Sequence, residues 1–514
     1  MSVRRAVFLA AMVLPILVWM ACGQVYRPVV IPCSTGGVPG CPVESAPQPS
    51  NFHSVFGITT NSPNFPGGAL QIDVAGDSIV GETPTSQPSQ ANLGELPTYG
   101  AISTTDSQVF VASAGSVILG GLDVVSYFNP VFQSTQATGL GTVGTIALPA
   151  GSQPVFLAST ESAEMYVANY NSNSVAQIST ATDVVTQTAT VGTNPVAMAE
   201  IPSATQQPLK LYVANQGSNT ISSLNTADLA PNVVTGFTGV TPVWVVARGD
   251  AQKVYVLTQG DGTLVTIDVA TDTVTSSLPV GAGANFIFFD PYLNRLYVTN
   301  PVTSTVYVFS DTSATSDVPT LLATIPFTAG SVSCPAATAC APVSVTALPD
   351  GTRFYVASYA TATSCPDSNV SGACVIPYLS IFNANTFTAE YPKAPAMTLL
   401  SPTSTAFVAT QYAVPPAASC ATAPLYPTLY APGATRFRMF TVASVDSTKV
   451  FVAMCDAGGI AVIDTSGANT NNPGTGTPSD SLVMDLLAGY AGSSGLLSNG
   501  EPAPQNPIFL FTGQ

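Results

Sequence analysis

The chain has 514 residues, of which 8% are charged and 46% hydrophobic, and its formal net charge is −16. Ten basic residues scattered between Arg27 and Lys449 form no cluster able to displace counterions from phosphates, which excludes nucleic-acid binding. Ser, Thr, Ala, Val, Gly and Pro fill most of the chain while Lys and Glu are scarce, a mix that favours short strands joined by turns and almost no helix.

Arg4 and Arg5 precede an apolar run from Ala6 to Ala21, short for a membrane span and suited to a signal core. Residues 1–21 are expected to be a signal peptide. Its end, "WMAC", resembles a bacterial lipoprotein signal, in which the cysteine after a small residue becomes the lipid-bearing N-terminus. The resemblance implies lipidation at Cys22, although Trp19 stands where such signals usually carry Leu. The alternative is an unlipidated, secreted form cut after Gly23. Residues 22–50 are Pro-rich without a sustained period and read as an extended tether, leaving 51–514 for the domain. The implied address is the cell envelope, periplasmic or at the cell surface, with the membrane reached through the lipid alone.

Nine cysteines are an odd count for a secreted chain. With Cys22 lipidated, eight remain for an oxidising compartment: Cys33, Cys41, Cys334, Cys340, Cys365, Cys374, Cys420 and Cys455. The sequence-local pairing is Cys33–Cys41, Cys334–Cys340 and Cys365–Cys374, with Cys420–Cys455 left over.

Beyond the tether one pattern recurs. "VFVAS" starts at Val109, "MYVAN" at Met165, "LYVAN" at Leu211, "VYVLT" at Val254, "LYVTN" at Leu296, "FYVAS" at Phe354 and "VFVAM" at Val450. The intervals between their aromatics are 56, 46, 43, 42, 58 and 96 residues. A base period in the low forties is the length of a four-stranded propeller blade. In the cleanest copy, "PVAMAEI", "KLYVAN", "NTISSLNTA" and "NVVTGFTGV" read as the four strands. These residues resemble the YVTN family of β-propeller repeats, whose signature "LYVTN" states at Leu296–Asn300, and the hairpin "IDVATDTV" (Ile267–Val274) strengthens the likeness. The resemblance covers roughly residues 97–465. It implies an all-β propeller of antiparallel four-stranded blades in which the motif Tyr and Asn are packing and turn residues. It implies no single function, since such repeats occur in surface-layer, binding and enzyme-subunit proteins.

The ends read as one divided blade. "VFGITTNSP" (Val55–Pro63) resembles a second strand, and "ALQIDVAGDSIVGET" (Ala69–Thr83) parallels "LVTIDVATDTVTSSL" (Leu264–Leu278) as strands three and four. "NPIFLFTG" (Asn506–Gly513) parallels "QPVFLAST" (Gln153–Thr160), a first strand. The count is eight blades, closed by N- and C-terminal strands; the alternative is the family's commoner seven.

Insertions at 359–375 and 392–435, together with six of the cysteines, map to connectors and 2–3 loops, which emerge on one face of an antiparallel blade. Binding residues concentrate on loops held by a rigid scaffold. Tyr412, Tyr426 and Tyr430 in the longer insertion are the ligand-face candidates, set against a reading of that loop as a stapled lid. Catalytic chemistry has little to work with. The single histidine is His53, no cysteine pair has metal-ligand spacing, and no phosphate loop is present. Asp73, Asp268 and Asp464 recur at one end of the third strand and read as turn formers. The Asp-rich turn Ser310–Asp317 is the one place for calcium, without the EF-hand spacing, and no cofactor is otherwise expected. The reading is a non-enzymatic binding or scaffold protein whose partner is a protein, peptide or glycan of the envelope. Its alternatives are a propeller enzyme or subunit (sugar-lactone hydrolase or periplasmic dehydrogenase subunit) and a surface-layer or adhesion component.

Overall fold

The computed structural model describes residues 54–60, 68–73, 78–84, 96–103, 108–114, 123–129, 143–158, 164–201, 209–311, 318–364, 374–389, 397–398, 403–404, 437–444, 447–455, 459–465, 480–487 and 506–512. These form eight antiparallel sheets, seven of them four-stranded. The first strands of blades 1 to 7 are Leu96–Ile102, Pro154–Ala158, Pro195–Glu200, Pro242–Ala247, Phe286–Asp290, Ala341–Ala347 and Met439–Ala443. Each packs on the first strand of the next blade. Blade 8 closes the ring: Asn506–Thr512 pairs with Ser54–Thr60, which continues to Gly68–Asp73 and Ser78–Pro84. The protein is an eight-bladed β-propeller, with no α-helix among the described residues.

The repeat dictates this geometry. In each second strand the motif aromatic lies in a fully buried run, and Tyr166, Tyr212, Tyr255, Tyr297 and Tyr355 are among the largest fully buried side chains. Stacked blades remove these rings from water, and each aromatic contributes on the order of 150–250 Å² of buried surface. The motif asparagine ends the strand and turns the chain. Asn300 donates to the carbonyls of Val280 (3.0 Å) and Gly281 (2.8 Å), and its Oδ1 accepts from the amides of Val302 and Thr303, both at 3.0 Å.

Proline positions the inner strands. In blades 1, 2, 3, 4 and 6 the pairing skips one residue after Pro97, Pro154, Pro195, Pro242 and Pro342, and blade 8 does the same after Pro507. Proline lacks a donor, so it sits where the ladder can be interrupted, and the bulge resets which side chain faces the centre. Blades 5 and 7 lack the proline and show no register shift there.

One expectation needs correction. "NVVTGFTGV" was expected to be a full fourth strand, but blade 3's fourth strand is only Pro231–Val233; Gly236, at φ +80°, turns the chain away, and Thr235 instead bridges to Thr273 of blade 4. The segments 359–375 and 392–435 of blade 6 contain strand as well as loop. Tyr359–Ala362 pairs with Cys374–Pro377, so both ends of the 359–375 segment are strand. Met397–Thr398 and Thr403–Ser404 pair with the third strand of blade 6, because its ten-residue length offers a long edge to cover.

Candidate functional site

The innermost strands alternate. One set of side chains packs between blades and is almost fully buried: Leu157, Met198, Val245, Ile287, Val345 and Leu510 are each at most 3% exposed. The other set turns toward the axis and the next blade. At the position paired with the residue two places after the motif aromatic stand Tyr99, Phe156, Ala197, Trp244, Phe286, Ser344, Phe440 and Phe509. Six of the eight are aromatic, and they touch in a closed cycle. Ring centroids are 4.1 Å apart for Tyr99–Phe156, 5.9 Å for Phe156–Trp244, 5.1 Å for Trp244–Phe286, 5.6 Å for Phe286–Phe440, 4.3 Å for Phe440–Phe509 and 4.1 Å for Phe509–Tyr99. The aromatics of blades 2 and 4 meet across Ala197, and those of blades 5 and 7 across Ser344. An edge-on or offset arrangement suits the ring quadrupoles. The channel is stoppered with hydrocarbon at this level.

A second relationship joins blade to blade nearer the rim. Lys210 and Tyr212 of blade 3 both reach Asp272 of blade 4, at 2.9 and 2.5 Å. Lys253 and Tyr255 of blade 4 reach Asp311 of blade 5, the lysine at 3.1 Å, with Arg248 also 3.1 Å away. Arg353 and Tyr355 of blade 6 reach Asp480 of blade 7, at 2.7 and 2.6 Å. In blade 5 the carboxylate is replaced: Arg295 donates to the Ala384 carbonyl of blade 6 and lies 5.1 Å from the Phe387 ring centroid. Burial raises the phenol pKa of Tyr212 and Tyr255, and the neighbouring aspartate raises it further. These carboxylates are structural. Asp311, the second residue of the stretch weighed for calcium, is held by this cluster; residues 312–317 lie outside the described set.

The face formed by connectors and 2–3 hairpins carries the disulfide-bonded cysteines of the described residues. Cys334 and Cys340 are joined in the connector from blade 5 to blade 6, with Cα atoms 5.6 Å apart. Cys374 begins the third strand of blade 6 and Cys455 follows the second strand of blade 7; both are disulfide-bonded. The second and third strands of blade 6 run ten residues each where most others have six, so their hairpin rises above the face. The stapled connector braces it: Thr338 donates to the Thr361 carbonyl at 2.8 Å, and Ser380 to the Ser333 carbonyl at 2.9 Å. In blade 4, Gly262 (φ +66°) lies where an added Cβ would fall 1.9 Å from the Gly281 carbonyl carbon, so hairpin and connector touch.

Cys22, Cys33, Cys41, Cys365, Cys420, Tyr412, Tyr426, Tyr430 and His53 lie outside the described residues. Asp268 is a turn former, accepting from the Thr271 amide at 2.8 Å and its hydroxyl at 2.6 Å. Asp464 lies 3.6 Å from Lys449, and Asp73 ends its strand. Sequence reasoning missed the aromatic cycle and the Lys/Arg-x-Tyr grip on the next blade. Both have signals in the chain: "PTY", "PVF", "PVW" and "PIF" for the first, and "KLY", "KVY" and "RFY" for the second.

No family model matches the chain, and no curated protein does. Solved structures do. The dihydro-heme d1 dehydrogenase NirN, in complex with DHE, aligns over 95% of this chain and 80% of its own at TM-score 0.52 and 13% identity. The Pseudomonas aeruginosa periplasmic gluconolactonase PpgL aligns over 90% and 99% at 0.45 and 12%. The Kuenenia stuttgartiensis hydrazine synthase aligns over 65% and 86% at 0.42 and 13%. What these share with the chain is a fold.

Proposed function

We propose that the protein is an extracytoplasmic, lipid-anchored propeller of the YVTN type that acts by binding. Its partner is a protein, peptide or glycan of the cell envelope, taken on the face of connectors and 2–3 hairpins. One observation carries the reading: the Cys334–Cys340 staple, Cys374, Cys455 and the raised hairpin of blade 6 all belong to that face. Disulfides and a braced hairpin gathered on one face are the pattern of a rigid scaffold presenting loops. The aromatic cycle supports it, because apolar rings stand at the channel level where a channel-centred enzyme would gather carboxylates. An array of envelope glycans and peptides probed with the full chain tests the reading. Specific capture, lost when residues 405–435 are replaced by a short linker in a chain that melts normally, is the expected result. Capture unaffected by that change counts against it. Anchoring is tested by acyl labelling, which Cys22→Ser should abolish.

A second reading, a propeller enzyme or enzyme subunit of the sugar-lactone hydrolase or periplasmic dehydrogenase kind, draws on NirN, whose alignment spans nearly this whole chain. Turnover of a sugar lactone, or of an electron acceptor with a partner subunit, by the purified full chain would favour it over binding alone.

A further inference from the structure

Two residues beyond the aromatic cycle, each inner strand presents another side chain toward the axis. These form a tier nearer the face of the 1–2 turns, since every first strand runs from connector to 1–2 turn. Ala101, Ala199, Val246, Phe288, Val442 and Phe511 are all partly exposed there, whereas Ala158 and Thr346 of the same tier are buried, as are Gly100, Met198, Val245, Ile287, Thr441 and Leu510, the residues just before the exposed six. An innermost strand has its neighbour strand on the outer side, so this exposure is to the channel. The floor above is nearly closed: Phe156, Trp244, Phe286, Phe440 and Phe509 are only 4–8% exposed, and Tyr99 alone of the six rings is partly exposed.

We infer that the tier and the aromatic cycle form a blind cup that binds a compact, uncharged aromatic molecule. Size argues for room: at five blades the position below an aromatic or Ala is held by Ala or Val, so the channel is not refilled below the stopper. Charge argues for a neutral occupant. Of the sixteen positions in the two layers none is a carboxylate, ammonium or guanidinium, and the polar ones are Tyr99, Ser344 and Thr346. A charge brought into such walls loses hydration without a partner, while apolar surface gains about 25 cal/mol per Å² buried. Ring geometry argues for aromaticity, because the floor offers both edges and faces for offset or edge-on contact. The cup opens on the face opposite the disulfide-bearing loops, so it stands or falls independently of the partner-binding proposal.

The chain supplies its own reporter. Trp19 and Trp244 are its two tryptophans, and Trp244 is in the floor. With Trp19→Phe in the full chain, titration with phenylnaphthylamine, an uncharged aromatic fluorophore, should quench Trp244 saturably at one site and transfer its excitation to the probe. Ala199→Phe and Ala101→Phe, each filling the cup from a different blade, should weaken binding at least about tenfold while the melting curve is retained. Val302→Ser, at an exposed position of the opposite face, should leave it unchanged. Absence of saturable quenching, undiminished affinity in both filled variants, or equal weakening by Val302→Ser would overturn the inference.

Discussion

Tyr212 of blade 3 donates a 2.5 Å hydrogen bond to Asp272, which belongs to blade 4. Lys210 reaches the other oxygen of the same carboxylate at 2.9 Å, and Asn232 lies 3.3 Å from that oxygen. One side chain thus holds two blades together through a phenol and an ammonium. Removing it leaves both donors inside the seam, and stranding a buried partner costs more than deleting the whole pair. Asp272→Ala should therefore destabilise the fold by about 2–4 kcal/mol. Adding Lys210→Met should recover part of that loss, as denaturant unfolding of the single and double variants would show.

The same seams set an alkaline limit. Tyr212, Tyr255 and Tyr297 are fully buried, and burial first, then a nearby aspartate, raises each phenol above its ordinary value. In the unfolded chain these groups ionise near pH 10. The native state keeps its protons longer, so stability is full below that pH and falls as pH climbs above it, by up to about 1.4 kcal/mol per pH unit for each phenol. Ultraviolet titration should show a tyrosine fraction that ionises only as the circular dichroism of the sheets collapses.

Blade 2 breaks the cationic register. Where blades 3 to 6 place Lys210, Lys253, Arg295 and Arg353 two residues before the motif tyrosine, blade 2 has Glu164, and burial and Glu200 raise its carboxyl pKa. A raised carboxyl favours the native state below its unfolded value and loses that contribution as pH rises through the folded one. Glu164→Gln should accordingly stabilise the protein at neutral pH and not at acid pH. The gain should stay below about 1 kcal/mol, because the side chain is partly solvated; melting curves at the two pH values decide it.

The aromatic cycle should be costly to open. Trp244 meets Phe156 and Phe286 edge-on, so Phe286→Ala removes a ring from between two others. A loss of about 3–5 kcal/mol is expected, together with a shift in Trp244 emission, measurable in one denaturant series.

Reduction bears on the other face. The Cys334–Cys340 loop has a sequence separation of 6, and chain-entropy arguments give its closure about 2 kcal/mol. Cys334→Ser with Cys340→Ser should lower the melting temperature modestly and raise amide exchange in the braced hairpin of blade 6.

Much of the architecture was legible in the sequence because a repeat states its fold many times over. The parallel between Ala69–Thr83 and Leu264–Leu278 placed the N-terminal strands, and "NPIFLFTG" placed the C-terminal one, so the eight-blade count and its closure followed. Seam chemistry was not legible in the same way. Lys210 and Asp272 are distant along the chain, and nothing local to either marks the other as its partner. The stopper was hidden by the bulge after proline: simple alternation from Pro154 or Pro242 does not say that Phe156 and Trp244 turn to the axis, since the extra residue resets the count. The fourth strand of blade 3 failed for a plainer reason, as Gly236 ends it where apolar content alone predicted continuation.

Val55 pairs with Thr512, the two ends of the domain in one sheet. During synthesis, therefore, Ser54–Thr60, Gly68–Asp73 and Ser78–Pro84 wait for Asn506–Thr512 before their blade exists, while the intervening blades assemble around a gap. Contacts of such sequence separation form late and slowly, and an unpaired edge invites other chains in the meantime. The rate at which this wheel matures is governed by the arrival of its final strand, so a nascent chain stalled shortly before Asn506 would be the species most in need of a chaperone.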